Sequence, residues 1–177
     1  MILTGLEIKK QVEIKRIKIS PFNSNNLSTN SYDLHLDSML IRYTSEILDP
    51  RYPPSYEEFT IPETGFVMQK GDFFLGCSKE VIGSDYYVPL IHARSGIARL
   101  GLFVHVTADL IDIGSHGQTT FQLYATLPVI LYPNVSIAQV SFWVPEGEIE
   151  LYDGKYQRSK GPIISKVHQD WTDHNDR

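Results

Sequence analysis

A chain of 177 residues with 42% apolar content is long enough to bury one hydrophobic core and short for two. Its formal net charge of −5 excludes the electrostatic footprint of a DNA- or RNA-binding protein, which needs a clustered excess of lysine and arginine, yet leaves room for a small anion held by one local cluster. A single cysteine, Cys77, excludes an internal disulfide. No apolar run reaches the roughly 20 residues of a bilayer span, and no secretory leader pattern is read at the start, so the expected setting is the reducing cytoplasm.

Thr4 followed by Glu7 has capping-box spacing, and Leu6, Ile8 and Val12 among lysines predict a short N-terminal helix. Lys9, Lys10, Lys15, Arg16 and Lys18 read as its solvated face and the start of a strand. Beyond them β signals dominate. The segments from Tyr32 to Leu36, Met39 to Tyr43, Phe73 to Cys77, Tyr87 to Ile91, Thr119 to Tyr124, Val129 to Tyr132 and Ser136 to Val144 are short and rich in aromatic and β-branched residues, with Gly, Pro, Asn and Asp between them. That spacing predicts an all-β barrel or jelly roll, a single domain over 1–177. The stretch from Asp49 to Pro62, with prolines early and acidic residues after, reads as a surface loop. Residues 152–177 are polar with little periodicity, and 172–177 read as a frayed end.

The chemistry is concentrated in one stretch. Arg94, Ser95 and Arg99 set two guanidinium groups and a hydroxyl around the small residue Gly96, the donors that a phosphate demands. Within a dozen residues come His105, Thr107, Ala108 and then Asp112. Each piece also has an ordinary reading: arginine pairs sit on solvated faces, an aspartate before a turn bonds its own backbone, and a lone histidine on a strand is a core residue. The histidines show no H-x-E, H-x-H or C-x-x-C partner, so no residue is assigned as a metal ligand.

Taken in order, R-S-x-x-A-R-L-G-L from Arg94, V-H-V-T-A around His105, Ile111-Asp112 and Gly117 closely resemble the core of dCTP deaminases, a branch of the dUTPase superfamily. The resemblance extends back to Ser31-Tyr32-Asp33-Leu34-His35-Leu36 and forward through Gln139 to Lys155-Tyr156-Gln157, Gly161-Pro162 and Ser165. It implies a distorted dUTPase-like β-barrel with one N-terminal helix, assembled as a homotrimer with sites completed by more than one subunit. It also implies that residues 152–177 form a flexible strap over a deoxynucleoside triphosphate, dCTP or dUTP, with Mg2+ carried in on the phosphates and no protein-bound transition metal. The residues implied as nucleotide-binding are Arg94, Ser95, Arg99, Thr107, Ala108, Asp112, Lys155 and Tyr156. Those implied as catalytic are Ser95, Arg99, Asp112 and the position of Gln122. His105 is kept as a core residue.

Gln122 stands where that family carries a glutamate. A carboxylate can take a proton from attacking water and pass it on, whereas a carboxamide has no such step. Ile113, Ser115 and Ala125 also depart from the family's proline, aromatic and asparagine, so the phosphate-facing motif is better kept than the base-facing one. Three activities stay open: deamination of dCTP to dUTP and ammonia, ranked first; pyrophosphate release assisted by Asp112; and silent nucleotide binding.

Overall fold

A computed structural model describes residues 1–105 and 107–172; of the fray expected at 172–177, Thr172 ends a short helix and residues 173–177 lie outside the described residues, as does Val106. Helix α1 (Gly5–Glu13) starts where expected. The Thr4 hydroxyl accepts from the Glu7 N–H at 3.3 Å, and Ile8 and Gln11, three apart, turn inward. Gly5 is required at the first turn, because a Cβ there would lie 2.0 Å from the Ser28 carbonyl oxygen.

The strands are β1 (Lys18–Ser20), β2 (Tyr32–His35), β3 (Met39–Tyr43), β4 (Tyr56–Thr60), β5 (Phe66–Met68), β6 (Phe73–Gly83), β7 (Val88–Ala93), β8 (Leu102–Phe103), β9 (His116–Ala125), β10 (Val129–Leu131) and β11 (Ser136–Trp143). The short helices α2 (Ser95–Ala98) and α3 (Gln169–Thr172) and a 3-10 turn at Ser24–Asn26, which the sequence pattern does not announce, complete the elements. The class is all-β as expected. Among the described residues its strands form three sheets rather than one closed barrel: β4-β3-β6-β9-β8 with β1 on β6, the pair β10-β5, and β2-β11-β7.

Strand β6 is the spine. It pairs antiparallel with β9 from Phe73↔Tyr124 to Gly83↔His116, with a bulge between Cys77 and Val81, and it also pairs with β1 and β3. Between the sheets Tyr32, Leu34, Leu36, Leu40, Phe121 and Phe142 are fully buried, and each such side chain stabilises the fold by roughly 1.5–3 kcal/mol. Cys77 belongs to this core. Burial, with Asp37 adding to it, pushes its thiol up to about 12, which rules out a nucleophilic role at neutral pH.

The expected surface loop from Asp49 to Pro62 is corrected in its second half, where β4 forms. Two tertiary contacts decide it. Arg42 and Glu57 face each other in register across β3 and β4 with a 2.5 Å ion pair, and Phe59 packs on Phe66 and Phe74 at centroid distances of 6.0 and 5.8 Å. An alternation of only five residues, two of them glutamates, is too short to outweigh the preceding prolines on pattern alone.

Candidate active site

Alternation along β9 creates the site. Phe121, Leu123 and Ala125 point into the core, while Gln118, Thr120, Gln122 and Tyr124 line a groove of about 730 Å3 on the opposite face. That volume lies within the range of small-molecule sites. β8 pairs with β9 only at Ala125 and Tyr124, leaving the edge from His116 to Thr120 open.

The C-terminal segment occupies that open edge. The Arg158 N–H donates to the His116 carbonyl at 2.8 Å, and the Gln118 N–H donates to the Ser159 carbonyl at 2.9 Å. Further along, the Gly161 N–H donates to Gln118 Oε1 at 2.7 Å, the Ile163 N–H to Thr120 Oγ1 at 3.0 Å, and the Ser165 N–H to the Tyr43 hydroxyl at 3.0 Å. Gly117 makes this approach possible, since a Cβ there would lie 2.7 Å from the Ser159 nitrogen. The strap is therefore seated against its own chain, with Tyr152, Tyr156, Ser159, Ile163, Ile164 and Ser165 forming one wall of the groove.

The opposite wall is the loop from Thr107 to Asp112. It is docked on β7 by backbone bonds from Ile91 N–H to the Asp109 carbonyl, 2.9 Å, and from Ile111 N–H to the Pro89 carbonyl, 3.0 Å. His105 braces it by donating from Nε2 to the Ala108 carbonyl, while its Nδ1 is buried without a partner. Burial lowers the His105 pKa, against the opposing pull of the Ala108 carbonyl and Asp109. The ring is thus a neutral brace at the groove wall rather than the enclosed core histidine the pattern suggests.

Of the residues singled out in the sequence, the groove gathers Gln122, Asp112, Thr107, Ala108 and Tyr156. Asp112 is exposed, and among the described residues its carboxylate has no partner. Arg94, Ser95 and Arg99 do not line the groove. They form the exposed turn of α2, where Arg94 pairs with Asp33 at 3.3 Å. Lys155 does not line the groove either; it is bound to both oxygens of Asp170 at 2.5–2.6 Å, and that pair raises its pKa. Among the described residues the groove lining contains no lysine or arginine.

Two anchors were given no role from the sequence, although Gln157 stands in the resembling tail motif. Gln118 spans from the body of the fold to the strap: its Nε2 donates to Asp37 Oδ2 at 3.0 Å and to the Ser78 carbonyl at 2.8 Å, while its oxygen holds Gly161. Gln157 fastens the other end, accepting from the His116 N–H at 2.8 Å and donating to the carbonyls of Gly114 and Tyr152 at 2.8 and 2.9 Å. The available signal for the first was the polar alternation Gln118, Thr120, Gln122 on a strand whose intervening positions turn apolar.

The family model described as dCTP deaminase-like matches residues 2–144. A curated relative from Clostridium beijerinckii, named dCTP deaminase, dUMP-forming, is 40% identical over 172 residues, covering 97% of this chain and 99% of that protein. A relative of the same name from Cytophaga hutchinsonii is also 40% identical over 172 residues, with the same coverage. The crystal structure of 2'-deoxycytidine 5'-triphosphate deaminase from Agrobacterium tumefaciens shares the fold with a TM-score of 0.65 at 18% sequence identity, over 81% of this chain and 48% of that longer one. With its β9 groove, its strap and a match that spans most of its length, the chain belongs to the dCTP deaminase-like family.

Proposed function

We propose that this chain is a pyrimidine deoxynucleotide hydrolase that binds dCTP or dUTP in the β9 groove, with the phosphate-cleaving half of its relatives' chemistry kept and the deaminating half weakened. The relatives are named for forming dUMP from dCTP, a conversion that takes two water attacks, one at the base and one at the α-phosphate. A single contrast carries the reading: the groove holds an unpartnered carboxylate at Asp112, able to orient a water at a phosphate, and a carboxamide at Gln122, unable to relay the proton that deamination moves.

A triphosphate also needs cations, and the groove lining supplies none. Arg94, Ser95 and Arg99 stand exposed on α2 beside the exposed apolar residues Leu100 and Phe103, the composition of a surface that meets another subunit. Placement of that turn against a second copy's groove, in a homotrimer, supplies the missing charge. Mg2+ fits as an ion carried by the phosphates, because one carboxylate is too few for a protein-built oxygen cage.

The test is to incubate the pure chain and Mg2+ with dCTP and with dUTP, following ammonia, pyrophosphate and monophosphate. Pyrophosphate from dUTP with little ammonia from dCTP is expected. Rapid ammonia release from dCTP restores the first-ranked activity, deamination to dUTP. Binding without any product leaves a silent nucleotide binder.

A further inference from the structure

Three glutamines of the β9, β11 and strap region have their amides tied down, while Gln122 is left loose in the groove. Gln118 and Gln157 are held at both ends by the bonds described above, and Gln139 accepts from the Ser31 hydroxyl at 2.8 Å while donating to the Ala93 carbonyl at 3.4 Å. Each of these amides has one permitted orientation. Gln122 is half-buried on the groove face of β9, and among the described residues its carboxamide meets no hydrogen-bond partner. Apolar side chains of the groove lie beside it. Leu75 lies directly across the strand pair, and Phe73 with Tyr124, two positions along, forms the next pair on the groove face.

An apolar, aromatic-walled pocket end with one polar group on its floor suits a flat heterocycle whose faces are covered and whose edge is read by that group. We infer that Gln122 is a specificity residue that reads the edge of either pyrimidine, cytosine or uracil, by turning its amide over. Cytosine presents a ring-nitrogen acceptor beside an amino donor, and uracil presents an N–H donor beside a carbonyl acceptor. A carboxamide carries one donor and one acceptor, so it matches the first edge in one orientation and the second after a half-turn about its terminal torsion. Among the described residues no hydrogen bond opposes that turn. A carboxylate at this position has acceptors only. It can accept from the cytosine amino group or from the uracil N–H, and on either edge it faces the neighbouring acceptor with no donor to offer.

This inference rests on the groove being a nucleotide site, and the experiment separates the two. The full-length chain with Mg2+ is titrated by calorimetry against the non-hydrolysable α,β-imido analogues of dCTP and dUTP, for the native sequence, Gln122→Glu and Gln122→Leu, with thermal melting to confirm folding. The native chain is expected to bind both analogues within about threefold of each other, and Gln122→Glu to weaken both by about tenfold or more, because it lacks the donor that each edge requires. Gln122→Leu is expected to weaken both alike. A native preference above tenfold for either base overturns the inference and leaves the nucleotide site standing, as does a Glu or Leu variant that binds both analogues as well as native. Failure of both analogues to bind overturns the nucleotide site and the inference together.

Discussion

The β9 groove and the α2 turn are neighbours in the chain and opposites in the structure. The groove is concave, walled by aromatic and aliphatic side chains, closed by its own strap and provided with Asp112 as its one lining carboxylate among the described residues. The α2 turn is convex and carries Ser95 and Arg99 into solvent with no groove beneath them. Under the proposed function, one chain holds the part of the site that takes the base and its sugar, and displays elsewhere the part that takes phosphates. Residues that match a family's motif in unbroken sequence order need not meet within one copy of the fold.

The largest effect expected on the groove side is that of Gln122→Glu on deamination. Restoring a group that can accept water's proton is expected to raise ammonia release from dCTP on the order of 10²-fold, provided Ser115 and Ala125 leave the pocket competent. Adding Ala125→Asn to the variant checks that proviso. If the native chain already releases ammonia at an ordinary enzyme rate and the variant is no faster, the contrast between the two halves of the site is drawn in the wrong place.

On the α2 side, Arg99→Ala is expected to weaken triphosphate binding by about 10- to 100-fold and nucleoside binding hardly at all, since a charge-assisted bond to phosphate is worth roughly 1.5–3 kcal/mol. Mixing Arg99→Ala with Asp112→Asn sharpens the comparison further. If sites are built between copies, each variant is inactive alone and the mixture regains activity, alongside a light-scattering mass near three times that of one chain. A monodisperse monomer with full activity contradicts the shared site. Lys155→Ala serves as the control, because Lys155 is engaged with Asp170 and its loss is expected to leave phosphate affinity nearly unchanged.

A smaller effect is expected from the strap. Gln118→Ala removes the bridge from Asp37 and Ser78 to Gly161, and faster amide exchange at Gly161 and Ile163 is expected while the melting temperature of the body changes little. Unchanged exchange there means the strap is held by the remaining bonds alone. Smallest of all is a pH effect at His105. Burial lowers its pKa in the fold, so the unfolded chain takes up this proton first as pH falls below about 6.5. The stability tied to its neutral ring is present above that pH and lost below it, so the urea midpoint should fall less steeply between pH 7 and 5 in His105→Asn.

Much of this molecule was legible in its sequence because the signals are local. The Thr4 cap, the β alternation from Thr119 to Tyr124 and the apolar runs at Met39 and Ser136 are set by neighbours a few residues away, and their elements form where expected, with β6 and β9 longer than read. The resemblance of the Arg94 to Asp112 stretch placed the chain in its family, since motif order survives without reference to geometry.

Other features were decided by residues far apart in the chain. Strand β4 exists because Glu57 meets Arg42 and Phe59 meets Phe74, and a pattern of five residues records neither contact. Gln118 looks like any polar strand position until the strap crosses it 43 residues later, and Lys155 looks like a phosphate ligand until Asp170 claims it. Gln122 shows the division most plainly. Its identity, an amide where an acid belongs, is written in the chain. That the amide lies unanchored at the apolar end of a groove, free to present either face, follows only once β6, β9 and the strap are folded around it.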